Sequence, residues 1–490
     1  MLRAAPQFTQ RVVVVIGGGL AGLASALAAA DAGARVILLE AGGAVPSGAS
    51  LYASSGLSAA LDTADVISYG DDLLRSAGGA ERAPLARALA AGSVSIRHWL
   101  VKHGAPDLSR TVLTGGHSKA RTWLPAAGVL PSNTTVGTAL SRALGASAAA
   151  QKNVLLRPTT RVAALLPAPS GGVAGVLIEA ADGVEAEVIN ADSIVIATGG
   201  FGASRDLLPA QLRRAPFSCA LSADGSGLRL AVKAGAVLVG MEDDVAVQLH
   251  PTSFVRSGQS PWNEGGEGTP SHLFIAPEAL RGAGAVLLDG ESGARFTNEL
   301  ARRDELSAAV LARAQKTAVL VIPASAAADA PGASFHEHAG RLTRVDGAQG
   351  LHSLLAAHTK EGDVVPTVGE LTATINAVAE AAAQGVDAYG RRDWGEPRSW
   401  EGAAHATLLV GTVTAAIHYT LGGISIDENG RVLNATGNRV PHLYAAGECT
   451  GGVHGRNRLA GAALCETIVF GVAAGAAAAT DSRAADEKTT

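Results

Sequence analysis

An α/β protein is predicted, with a parallel-sheet domain of discontinuous sequence and an inserted α+β domain. Three observations predict it. The apolar β-branched run Val12 to Ile16 leads directly into closely spaced glycines and an alanine-rich stretch. Two further apolar runs that end in glycine pairs, Asp192 to Gly202 and His442 to Gly452, lie far apart in the chain. The long segment between them lacks the strand–glycine–helix pattern and carries most of the clustered histidine, arginine and glutamate. With 490 residues, 47% hydrophobic and 17% charged, the chain can bury a large core and fill more than one domain.

The first run reads as a strand buried on both faces. Gly17, Gly19 and Gly22 follow in G-x-G-x-x-G spacing, a helix runs to about Ala32, and a second strand, Arg35 to Leu39, ends in Glu40. The glycines permit a tight turn and let a pyrophosphate approach the helix N-terminus, while the acid accepts from a ribose hydroxyl. This is a Rossmann-type dinucleotide site. Thr198, Gly199 and Gly200 close the second run, and Gly447 and Glu448 close the third. That pairing resembles the flavoprotein form of the fold, in which a late strand brings an acid to the ribityl chain, so FAD is expected rather than NAD. No second G-x-G-x-x-G follows a strand, so no separate nicotinamide domain is expected.

Composition excludes other classes. A formal net charge of −5 without a Lys/Arg stripe argues against nucleic acid. Mean hydropathy is +0.22, but the longest apolar runs, Val12 to Leu39 and Ile468 to Ala479, are broken by glycine or too short to span a bilayer, so no membrane span is expected. Cys219, Cys449 and Cys465 form no CxxC pair, which suggests neither zinc, haem nor disulfides, and no secretory signal precedes Val12. A cytoplasmic location is expected, with a mitochondrial one as the alternative.

The intervening segment holds "QLHPTSF" with His250 and Thr252, "PEALRG" with Glu278 and Arg281, and "RFTNELARRD" with Arg303. It is followed by "HYTLGG" with His418, Gly422 and Gly423, and by "GGVHGRNRL" with Arg458. In this order the motifs resemble the fumarate reductase and succinate dehydrogenase flavoprotein family, specifically its soluble fumarate reductases, from Val12 to about Gly475. The resemblance implies that His250 and Thr252 meet one substrate carboxylate and that His418 and Arg458 meet the other. It makes Arg303 the proton donor to the alkene, with Glu278 and Arg281 re-supplying the proton. Gly17, Gly19, Gly22, Glu40, Ser55, Gly56, Thr198, Gly199, Gly200, Gly422, Gly423, Gly447 and Glu448 are the expected FAD contacts. The chemistry agrees with this assignment: a 1,4-dianion across an alkene needs two cationic or hydrogen-bonding clamps, a hydride donor on one face and a proton donor at the other carbon.

Departures from the family pattern carry information. Ala49 stands where membrane-bound relatives carry a histidine that bonds the flavin covalently, so noncovalent FAD is expected. Asp224 lies one position early relative to a G-D-G turn now read as Gly225-Ser226-Gly227, and Leu421 replaces a methionine. His117 and Arg121 match a GGHS-x-x-RT segment expected near the flavin, and Arg456 is expected to face solvent. His336 and His338 in "PGASFHEHAG" would share a face if extended, with Glu337 turned away, a poor metal set.

The FAD domain is expected over 1–251 and 418–481, a capping domain over 252–417 and a frayed tail over 482–490. The function expected is reduction of fumarate to succinate, with electrons from an external donor such as reduced flavin, a quinol or a separate reductase. The alternatives are an L-aspartate oxidase-like or other enoate oxidoreductase and, from another class, a noncatalytic flavin-binding electron carrier.

Overall fold

The computed structural model describes residues 10–54, 56–78, 83–126, 128–131, 134–179, 186–242, 246–255, 262, 271–313, 315–328, 330, 332–359 and 364–481. Val12–Ile16 lies at the centre of a parallel sheet because every one of its side chains is apolar and both its edges are paired. Arg35–Leu39 and then Val154–Arg157 extend it on one side; Ser193–Ile196 and then Arg439–Ala445 extend it on the other, with Arg431–Leu433 antiparallel at the edge. The strands expected from Val12, Arg35, Asp192 and His442 are thus parallel neighbours, and the glycines and Glu40 that follow them lie at the carboxyl end of the sheet. The helix Leu20–Asp31 packs closely against Ala462–Thr480 because Gly471 and Gly475 of the latter leave no room for a side chain over Ala21, Ala24 and Ser25. That C-terminal helix begins earlier than the apolar run read from Ile468. Among the described residues it is the one helix long and apolar enough to cross a membrane, yet most of it is buried inside this fold.

The second part is an antiparallel sheet in the order Phe274–Ile275, Val247–Phe254, Thr407–Thr420, Ala318–Pro323 and Val286–Leu288. It separates one apolar cluster around Leu287, Leu320 and Leu409 from another around Leu371, Trp394 and Trp400. The helix Val368–Gln384 closes the latter and starts at a reciprocal cap between Thr367 and Glu370. The two long strands Val247–Phe254 and Thr407–Thr420 enter from the first core; Leu249 lies opposite Ile417 and His250 opposite Ala416. Both places where the capping segment was expected to begin and end therefore lie side by side on one strand pair.

One expectation is overturned by the fold. The segment around His336 is a helix, Ala333–His338, so His336 and His338 do not share a face: His336 is buried against Phe254 with ring centroids 4.8 Å apart, and Glu337 pairs with Arg344. Arg121 is fully buried between Asp65 and Asp72, both nearly inaccessible, and donates to both and to the Ser68 hydroxyl. A buried charge deprived of its partner is costly, so Arg121→Met should lower stability by about 3–5 kcal/mol. Arg75→Met, whose side chain is 63% exposed beside the same Asp72, should cost less than about 1 kcal/mol. Urea unfolding midpoints of the two variants at equal slope check this.

Candidate active site

The cofactor cradle is built from strand ends. Gly22 passes so close to Gly17 that a side chain there would meet the Gly17 carbonyl at 1.9 Å, which holds the turn and the helix together. The helix Leu20–Asp31 starts at Gly19 with no side-chain cap, so its first amides are available to an anion. Among the described residues, Thr198 presents a buried hydroxyl without a hydrogen-bond partner, and Gly199, at φ +77, has no atom within 4 Å of where a side chain would stand. An orphaned polar atom beside open space and a free helix N-terminus fit a dinucleotide carrying a flat ring. Glu40 is held at its strand end by the amides of Gly18 and Gly42, each at 2.6 Å, and by the Ser47 hydroxyl at 2.7 Å. Glu448 accepts from the Thr420 amide and hydroxyl at 3.0 and 3.1 Å, and burial pushes its carboxyl up to about 7. Gly447 follows the strand Arg439–Ala445, Gly423 pairs with Val239 beside Gly422, and Gly56 precedes the strand Leu57–Ser58; Ser55 lies outside the described residues. Asp224 accepts from the Ser226 amide at 2.9 Å, so the displaced acid serves its own turn.

The charged residues gather where the two long strands cross. The His250 and His418 rings meet edge to face with centroids 5.2 Å apart. Thr252 holds His250 through its main chain, with its amide and carbonyl 3.3 and 3.0 Å from Nδ1, and turns its hydroxyl toward the Ala276 carbonyl. Ser218, which the sequence did not single out, lies 3.3 Å from His418 Nδ1. Burial holds both imidazoles well below their ordinary pKa, reinforced by Arg303 and, for His418, by Arg458, so both are neutral at pH 7.

Arg303 opens a helix, Arg303–Leu311, that packs against the strand of His250. Its Nε donates to one oxygen of Glu278 at 3.0 Å, its Nη2 lies 2.9 Å from that oxygen in an ion pair, and Arg281 Nη2 donates to the same oxygen at 3.3 Å. Arg303 Nη1 and the second Glu278 oxygen are buried without partners among the described residues. Burial raises the Glu278 carboxyl, but Arg303 and Arg281 outweigh it and hold the group well below the usual range. Arg281 is steadied by the Glu299 carbonyl at 2.8 Å, while the Glu299 carboxylate is used by Arg391 and Arg295. Arg458, buried, stacks over the Tyr419 ring at 4.5 Å, and burial next to Arg303 pushes it down to about 10. Three guanidiniums thus face one ionised carboxylate and two neutral imidazoles. The resulting positive excess approaches two charges, partly offset once Glu448 ionises.

Sequence reasoning missed Tyr419, His454 and Glu466, which form a buried cluster behind Arg458. The readable signal was a single acid in the otherwise apolar helix that begins at Ala462. Arg456 is exposed, as expected, and His117 bonds the Ala460 carbonyl at 2.8 Å.

A dinucleotide cradle adjoining a buried, positively charged cleft defines a flavin-dependent oxidoreductase. The family described as "FAD binding domain" matches residues 12–464. Fumarate reductase 1 of Saccharomyces cerevisiae is 30% identical over 96% of this chain and 98% of its own, and the fumarate reductase (cytochrome) of Shewanella frigidimarina is 32% identical over 98% and 78%. The open conformation of a flavocytochrome c3 fumarate reductase superposes with a TM-score of 0.74 at 27% identity, covering 96% of this chain and 78% of that one. The chain belongs to the fumarate reductase and succinate dehydrogenase flavoprotein family, the FAD-dependent oxidoreductases acting on CH–CH groups.

The neutral histidines give a pH signature. Their folded pKa values lie below the unfolded value of about 6.5, so the unfolded chain binds more protons and stability falls as pH drops below that value. Replacing both His250 and His418 by Gln should flatten the denaturant-measured slope of stability against pH between about 6.5 and 4.5 by up to two protons.

Proposed function

We propose that the protein reduces fumarate to succinate. The observation that carries this reading is the buried positive excess beside the cofactor cradle: it matches a dianion and would be unstable without one. Gly17, Gly19, Gly22, Glu40, Thr198, Gly199 and Glu448 would hold FAD, which, when reduced, supplies hydride to one alkene carbon. His250 and Thr252 would receive one carboxylate, and His418 with Arg458 the other, which keeps the alkene between the clamps. Arg303 is docked on Glu278 by one edge, leaving Nη1 to face the substrate, where it delivers positive charge and a proton to the second carbon. Glu278 and Arg281 then return a proton to Arg303. In this reading the capping segment spans 252–417, so that Arg303 and Glu278 come from one part of the chain and Arg458 from the other. Electrons come from an external donor.

Arg458→Ala removes binding common to substrate and transition state. It should raise KM about 10- to 150-fold, as expected for a charge-assisted pair, with little change in kcat. Arg303→Ala removes a group needed in the transition state and should lower kcat roughly a thousandfold or more at similar KM. Steady-state kinetics on FAD-replete variants, with anaerobic addition of fumarate and of L-aspartate to follow the flavin spectrum, decide between fumarate reduction and its oxidase alternative. Retention of a tenth of the kcat by Arg303→Ala would remove it from the chemical step.

With Ala49 at the position of the linking histidine, FAD is noncovalent in this reading. Acid precipitation should release all the flavin into the supernatant, and a yellow pellet after washing would contradict it.

A further inference from the structure

Arg458 presents a problem of orientation. It is 4% exposed, its Nε has no hydrogen-bond partner, and among the described residues it makes no ion pair. What it rests on is the face of Tyr419, 4.5 Å from the ring centroid. A ring held only by packing can tilt, whereas this one is tethered: the Tyr419 hydroxyl donates to Glu466 Oε2 in a short hydrogen bond. His454 Nε2 lies 2.9 Å from the same oxygen and its ring meets Tyr419 edge to face at 5.9 Å. The Thr450 hydroxyl, shared with the Gly447 carbonyl, stands 3.3 Å from Oε1. Glu466 is 1% exposed and is the one charged residue of its helix. Burying a carboxylate there is costly unless its partners use it. Burial and the neighbouring Glu466 raise the Tyr419 phenol well above its ordinary pKa, so it remains a hydroxyl and a donor.

We propose that Glu466 is a positioning residue for substrate: by tethering Tyr419 it fixes the aromatic platform under the Arg458 guanidinium, and thereby sets the affinity for the carboxylate that Arg458 binds. The inference rests on the reading of Arg458 given above. It predicts that damage to the tether acts only through Arg458. A buried acid that merely stabilises the fold would act whether or not Arg458 is present.

The test is a double-mutant cycle on the FAD-loaded protein, with succinate binding measured by calorimetry and fumarate KM and kcat measured in parallel. Glu466→Gln should weaken succinate binding about 3- to 10-fold in the wild-type background and by less than about 1.5-fold in Arg458→Ala, with kcat within about threefold of wild type. Equal weakening in both backgrounds overturns the proposal and leaves the site assignment intact. If Arg458→Ala itself does not weaken succinate, the site assignment falls and the proposal with it. Should Glu466→Gln fail to retain FAD, Tyr419→Phe and Tyr419→Leu enter the same cycle. Loss of the ring must then cost more than loss of the hydroxyl, and both effects must vanish in Arg458→Ala; any other ranking overturns the proposal.

Discussion

Positive charge buried without an equal negative charge is the constraint on which the rest of this structure depends. Arg281, Arg303 and Arg458 converge on Glu278 and on two imidazoles that burial keeps neutral. Such a cleft is tolerable only if the scaffold is rigid enough to hold it open to an anion. The two long strands Val247–Phe254 and Thr407–Thr420 pair antiparallel, with register shifts on both sides of Leu249 and His250, and bring His250 beside His418. The helix that begins at Arg303 packs against the first of these strands, so Arg303 is aimed by the same pair that places the histidines.

Two kinds of support surround the cleft. Toward the antiparallel sheet, Glu299 and Asp387 together neutralise Arg391 and Arg295, leaving only the Glu299 main-chain carbonyl for Arg281. The guanidinium of Arg281 therefore keeps its charge for Glu278. On the parallel-sheet side, among the described residues, no carboxylate lies within ion-pair reach of Arg458; an aromatic face takes that place. A guanidinium stacked on a ring keeps its charge and its donors for a ligand, whereas one locked in an ion pair does not.

Much of the fold was legible because its signals are local. The strands at Val12 and Arg35 came out of β-branched runs, and the cradle out of G-x-G-x-x-G with Glu40 at the correct distance. The ordered motifs around His250, Glu278, Arg303, His418 and Arg458 likewise marked which residues belong to one site. Local signals misled where they were weak. The stretch around His336 has no clear period and folded as a short helix, because Ala333 and His336 find an apolar cluster to bury against. Other features had no local signal at all: Arg121 pairs with Asp65 and Asp72, which lie far from it in sequence.

The sequence by itself determined the Rossmann-type architecture, the family and the membership of the charged site, since each depends on residue type at short spacing. Only the tertiary structure decided how the charges are shared. Which edge of Arg303 rests on Glu278, which carboxylates neutralise Arg391 and Arg295, and that Tyr419, His454 and Glu466 stand behind Arg458 are outcomes of long-range packing. Hydrogen bonds and Coulomb interactions fall off over a few ångströms, and chain order does not specify which distant side chains come within that range.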